Sequence, residues 1–203
     1  MFTRTESFSE YIRFYPIVTI LLFINIIVFL ITLLPGIGYI VLEGGMGINY
    51  LIADGEWWRF VTPMFLHGGF MHIIFNMFCL FVFAPELEKI TGKMRFATLY
   101  LLSGIFANVA TYFFQDPGYA HLGASGAVFG VFGAFAALVY YTKRSMPQLR
   151  QIILPIIVIS VIMTFVGSNI NATAHIAGLV VGFIIGLSYF NPKRILSWKN
   201  SKR

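Results

Sequence analysis

Polar residues in this chain fall in short breaks between long apolar runs. Six runs approach the roughly 20 residues that carry an α-helix across a bilayer. They are 15–34, 70–85, 95–114, 123–141, 150–167 and 172–190. Several are interrupted by Gly, Ser, Asn or His, which predicts the spans of a packed bundle rather than a uniform oily anchor. The expected fold is an all-α polytopic membrane protein, a single domain of six transmembrane helices over 1–203. No stretch outside the runs is long enough for a separate soluble domain. The first run is too long for a signal peptide and lacks a small-residue cleavage site before the glycine-rich stretch 36–47.

Composition agrees. Of the 203 residues, 58% are hydrophobic and 11% charged, where soluble domains carry about 25% charged residues. The net charge of +6 raises nucleic acid as a partner, and its placement argues against one. Arg4 and Arg13 precede span one; Lys89, Lys93 and Arg95 lie between spans two and three; Lys143, Arg144 and Arg150 lie between four and five; Lys193, Arg194, Lys199, Lys202 and Arg203 follow span six. Thirteen of the fourteen basic residues thus share one side, and Arg59 alone takes the other. The positive-inside rule then places both termini in the cytoplasm. The single Cys79 excludes a disulfide framework, and no partner pattern around it suggests a catalytic thiol.

With that topology, spans two, four and six all begin on the outer side. His72 and Asn76 lie in the first two turns of span two, Ser125 near the start of span four, and His175 near the start of span six. At 1.5 Å per residue the four fall at one depth near the outer leaflet. Polar side chains in a bilayer face the bundle interior or a water-filled cavity. Helical phase supports that. Gly178, Gly182 and Gly186 follow His175 on much the same face, and Gly126, Gly130 and Gly133 form a stripe beside Ser125. Such stripes let backbones approach closely, and packing alone would explain many of them. Spans four and six are expected to meet glycine face to glycine face, with Ser125 and His175 within hydrogen-bond reach.

A serine hydroxyl is a weak nucleophile until a neighbouring imidazole takes its proton. The same imidazole can return that proton to a leaving amine. The acidic residues are Glu6, Glu10, Glu43, Asp54, Glu56, Glu86, Glu88 and Asp116, and none falls inside the predicted spans. That points to a Ser–His dyad rather than a triad. The oxyanion formed on attack needs preorganised donors. His72 and Asn76, spaced i, i+4 on one face, can donate, as can the Ser125 backbone N–H. Taken alone, His72 and Asn76 read equally as hydrogen-bonded links between helices. A zinc protease would need His-Glu-x-x-His, which is absent, and an aspartyl protease would need two intramembrane aspartates, whereas Asp54 and Asp116 both lie outside the spans. No metal or organic cofactor is implied.

The motifs together carry a family resemblance. They are Trp57-Trp58-Arg59, His67 with His72-x-x-x-Asn76, Leu87-Glu88-x-x-x-Gly92, Gly123-Ala124-Ser125-Gly126 and Ala174-His175-x-x-Gly178-x-x-x-Gly182. The chain resembles the rhomboid intramembrane serine proteases, in the six-span form common in bacteria, over nearly its whole length. The resemblance implies Ser125 as nucleophile, His175 as general base, and His72 and Asn76 as oxyanion-stabilising residues. It further implies structural roles for Glu88 and Arg59, a membrane-dipping first loop over 35–66, and a bacterial plasma membrane location. Two positions depart from the pattern. Phe129 stands where some members carry tyrosine, and Thr173 where many carry glycine.

The leading expectation is therefore an endopeptidase cutting transmembrane protein substrates near the outer leaflet. The alternative is a non-catalytic protein of the same fold that binds membrane clients, although such relatives typically lack the serine or the histidine. A small transporter is disfavoured, because no repeat is visible and no carboxylate sits mid-membrane. Span five is the expected entrance for substrate, being rich in β-branched residues, carrying Pro155 and offering few small residues for tight packing.

Overall fold

The computed structural model describes residue 2, residues 4–167 and residues 170–192. Five basic residues of the positive-inside argument, Lys193, Arg194, Lys199, Lys202 and Arg203, lie outside the described residues, as does part of the 167–173 loop. The chain begins with α1 (Phe8–Phe14) and α2 (Pro16–Thr32). These are two helices bent by 111° at Tyr15, and α2 is the longer, with 17 residues. The first loop holds α3 (Ile37–Gly45), a two-residue strand β1 (Gly47–Ile48), α4 (Asn49–Ala53) and 3-10 turns at Trp57–Phe60 and Thr62–Phe65. Then come α5 (Phe70–Thr91), α6 (Lys93–Phe114), β2 (Ala120–His121), α7 (Ser125–Thr142), α8 (Pro147–Val166) and α9 (Ala172–Tyr189). The last five helices are each long and apolar enough to cross a membrane, and the bent α1–α2 pair makes a sixth when counted as one span.

The second span differs from its apolar run. The helix does not stop at 85 but continues through Pro85, Glu86 and Glu88 to Thr91. Two partners from the N-terminal region make this possible. A proline inside a helix leaves the carbonyl four residues earlier without its donor; here Tyr11 Oη donates to the Phe81 carbonyl at 3.2 Å. Glu88, buried at 2% exposure, accepts the backbone N–H groups of Ile17 (3.0 Å) and Val18 (2.9 Å). It thereby caps the first turn of α2, whose own N-cap residue supplies no side-chain bond. Arg4 pairs with Glu86 alongside. Two carboxylates therefore lie inside a spanning helix after all, Glu88 compensated by main-chain donors and Glu86 by Arg4.

The core is built around α7, which is flanked by α6 and α9. A methyl group on Gly178 would fall onto the Gly126 carbonyl, one on Gly182 onto the Gly130 carbonyl, and one on Gly133 onto the Leu179 carbonyl. Backbone thus meets backbone along the whole α7–α9 seam, as the glycine phases predict. Gly126 also admits the Ala107 methyl of α6. β1 and β2 pair antiparallel, Gly47 opposite His121 and Ile48 opposite Ala120. This short ribbon ties the first loop to the segment that leads into α7.

Candidate active site

Ser125 is the first residue of α7. The approach to it is fixed from outside the helix. The Gly123 N–H donates to the Pro63 carbonyl at 2.8 Å, and His121 is held in the ribbon with Gly47 packed against its ring. Gly123 has φ = +131°, a conformation that side chains disfavour. A Cβ there would also sit 2.6 Å from His72 Nε2 and 3.7 Å from Ser125 Oγ. The glycine therefore serves twice. It allows the sharp turn into α7, and it lets the His72 imidazole come against the backbone beside the serine.

His175 lies one turn into α9, buried at 9% exposure. Its ring stacks on Phe129, with centroids 4.1 Å apart and planes at 16°. The phenylalanine that departs from the family pattern keeps this stacking. The other departure is also accommodated, since Thr173 Oγ1 accepts from Gln115 Nε2 at 2.7 Å. Asn171 caps α9 by accepting from the Ala174 N–H at 3.0 Å and donates to Thr111 Oγ1 at 2.9 Å. These bonds moor the start of α9 to the end of α6.

His72, Asn76, Ser125, Phe129 and His175 all line one cavity of about 550 Å³. A second cavity of similar volume, walled by Tyr119, His121 and Leu122, shares His72 and Met71 with it. Asn76 donates from Nδ2 to the His72 carbonyl at 2.9 Å, which fixes its amide and leaves one N–H for the cavity. His67 meets His72 edge to face at 5.1 Å. Burial pushes its imidazole down to about 3, so it stands neutral behind His72.

Among the described residues Ser125 Oγ makes no hydrogen bond to His175. The His175 contact that the structure does make was not anticipated. Its Nδ1 lies 2.8 Å from Thr164 Oγ1, on α8. A search for a third member among the carboxylates misses a threonine, because nothing in the spacing singles one hydroxyl out of span five. The first loop was expected as a membrane-dipping segment with a structural Arg59, but its elements and bonds were not legible. Arg59, buried at 3% exposure, organises it by pairing with Glu56 and donating to the Glu43 carbonyl at 2.8 Å. Trp58 Nε1 and Thr62 Oγ1 add bonds to the carbonyls of Gly44 (3.1 Å) and Gly45 (2.7 Å).

Comparison with known proteins places this architecture. The family described as Rhomboid domain matches residues 54–192. The chain belongs to the rhomboid family. It is 41% identical over 187 residues to YdcA of Bacillus subtilis (strain 168), which carries the name of a rhomboid protease; the match covers 91% of this chain and 94% of that one. The rhomboid protease GluP of the same organism is 38% identical over 148 residues, covering 71% of this chain but 28% of GluP. Rhomboid-like protease 1 of Toxoplasma gondii is 34% identical over 152 residues, 70% of this chain and 51% of that protein. This rhomboid chain is an integral membrane protein, and these three relatives carry the names of proteases.

Proposed function

We propose that the chain is an intramembrane serine endopeptidase in which Ser125 and His175 form the catalytic dyad. Ser125 Oγ attacks the carbonyl carbon of a peptide bond while its proton passes to His175 Nε2. The oxyanion is met by His72, Asn76 and the Ser125 N–H. Collapse breaks the C–N bond, and the imidazolium gives its proton to the leaving amine. Water then attacks the acyl-serine, its proton going to His175, and the Ser125 hydroxyl is restored.

The observation that carries this reading is the single cavity lined by Ser125, His175, His72 and Asn76 from three different helices. No carboxylate lines it among the described residues, which suits a dyad in a membrane, where a buried charge is costly. Substrates are transmembrane proteins, cut in or near the outer part of their spans. A helical peptide bond is shielded by its own hydrogen bonds, so segments that unwind easily are preferred. Orientation with both termini cytoplasmic follows from the basic residues.

A fluorophosphonate probe should label the detergent-solubilised protein, and Ser125→Ala should abolish labelling. Equal labelling of the two proteins would remove Ser125 as the nucleophile.

A further inference from the structure

We propose that Thr164 is a positioning residue of the site, whose hydroxyl accepts the Nδ1–H of His175 and so holds the imidazole with its Nε2 lone pair free for Ser125. This rests on the dyad reading and adds to it a third participant carried by α8.

Proton counting assigns the bond its direction. A threonine hydroxyl has one proton and two acceptor positions. Thr164 Oγ1 lies 2.9 Å from the Ser160 carbonyl, four residues earlier on α8, and donates to it. That proton being committed, Oγ1 can only accept from the imidazole at 2.8 Å. Nδ1 then carries the hydrogen, and Nε2 is the basic nitrogen. A histidine protonated the other way round could not take the proton of Ser125.

The acceptor is also well held. Thr164 is buried at 3% exposure, its β-branched side chain has few rotamers, and the bond to Ser160 selects one. From the other side Phe129 stacks on the same imidazole. The ring is thus fixed in plane by Phe129 and in rotation and tautomer by Thr164. A carboxylate in this place would bind the imidazolium more strongly, but at this depth its burial would be costly. A neutral hydroxyl performs the orienting step without that cost.

The bond also couples base and entrance. Thr164 stands near the outer end of α8. Any outward displacement of that part of α8 withdraws the acceptor from His175, so the base is correctly held only when α8 is seated against α7 and α9.

The test uses Thr164→Val, which keeps shape and removes the acceptor, and Thr164→Ser, which keeps the hydroxyl. With a transmembrane substrate, Thr164→Val should lose roughly 10- to 100-fold in kcat with KM little changed, less than the about 10⁴-fold seen when a charged orienting partner is neutralised in a serine protease. Thr164→Ser should recover most of that loss. In ¹⁵N-histidine spectra of the wild-type protein, the His175 signals, identified by their absence in His175→Asn, should show hydrogen on Nδ1. In Thr164→Val they should shift toward hydrogen on Nε2. Unchanged kcat in folded Thr164→Val, or hydrogen on Nε2 in the wild type, overturns the proposal; the wild-type spectrum decides even if the variant does not fold. Persisting probe labelling of Ser125→Ala would instead overturn the dyad itself, and loss of that labelling beside an unaffected Thr164→Val would reject Thr164 alone.

Discussion

α7 and α8 follow one another in the chain and are nearly equal in length, at 18 and 20 residues. The bundle treats them oppositely. Over the apolar window of each helix, 72% of α7 is buried within the protein but only 17% of α8. α7 is held by backbone-to-backbone contact with α9, through glycines that no larger residue can replace without displacing a carbonyl. α8 presents Val158, Ile159, Ile162, Phe165 and Val166 outward and turns inward mainly through Leu149, Ile153 and Thr164. Lipid tails are as apolar as these side chains, so no hydrophobic force presses α8 onto its neighbours. The proposed nucleophile and base therefore ride on the stiff pair. The helix that carries the proposed orienting hydroxyl is the least buried of the five long apolar helices. If α8 is the entrance expected from the sequence, chemistry that needs sub-ångström placement and access that needs an opening fall on different helices.

The largest expected effects lie at the site itself, on the residues that α5 brings beside the α7–α9 pair. His72→Ala or Asn76→Ala should lower turnover by roughly 10²–10³-fold, the cost of losing one oxyanion donor, while the protein still folds. Loss should be smaller where the Ser125 N–H compensates. Turnover and thermal unfolding measured on the same preparations decide the matter. Full activity per folded molecule, combined with lowered stability, would make the two residues helix links only.

Next comes the seam. Gly178→Leu must push α9 away from the Gly126 carbonyl. Overpacking of a tight contact costs about 1–3 kcal/mol or more, and displacing reacting groups by about 1 Å costs on the order of 10²-fold in rate. Both a lower Tm and slower proteolysis are expected. Normal values for both would show that the seam does not set the distance between Ser125 and His175.

The two halves were not equally legible in the sequence. The seam was, because glycine spacing on a helix maps directly onto a face, and because Ser125 and His175 stand at fixed offsets from those glycines. Span boundaries were legible where polarity marks them and not at Pro85–Thr91. There Tyr11 satisfies the carbonyl that Pro85 leaves open and the start of α2 satisfies the Glu88 carboxylate, both from far away in sequence. The same limit hid Thr164. Its significance lies in a contact between α8 and α9, and neither spacing nor composition distinguishes it from the other hydroxyls of the span. The ribbon between Gly47 and His121 was hidden for a related reason. Two residues per strand leave no period-2 pattern to read.

A third prediction tests mobility rather than chemistry. An engineered disulfide between α8 and α5 should block cleavage of a transmembrane substrate and leave hydrolysis of a small soluble ester nearly unchanged. A seated α8 keeps Thr164 on His175, so the ester still meets a correctly held base. Reduction should restore proteolysis. Equal inhibition of both substrates, or of neither, would mean that α8 is not the entrance.

The smallest effect sharpens the comparison within α8 itself. Ile153 is fully buried, at 0% exposure, whereas Ile159 is 59% exposed. Truncating the buried residue leaves a cavity, and Ile→Ala in a packed interior costs about 2–5 kcal/mol. Much of that cost is lost dispersion contact, so it survives in a membrane, where the transfer from water plays no part. Truncating Ile159 exchanges one lipid-facing apolar surface for another, and Ile159→Ala should shift Tm by no more than the scatter of surface substitutions, about ±0.5 kcal/mol in stability. Both variants keep Thr164 and Pro155, so the helix and its link to the base are otherwise intact. Thermal unfolding in the same detergent compares them directly. If Ile159→Ala were as damaging as Ile153→Ala, the outward face of α8 would be a packed surface rather than a lipid-facing one. α8 would then have to break a second interface to open, and the contrast with α7 would fail.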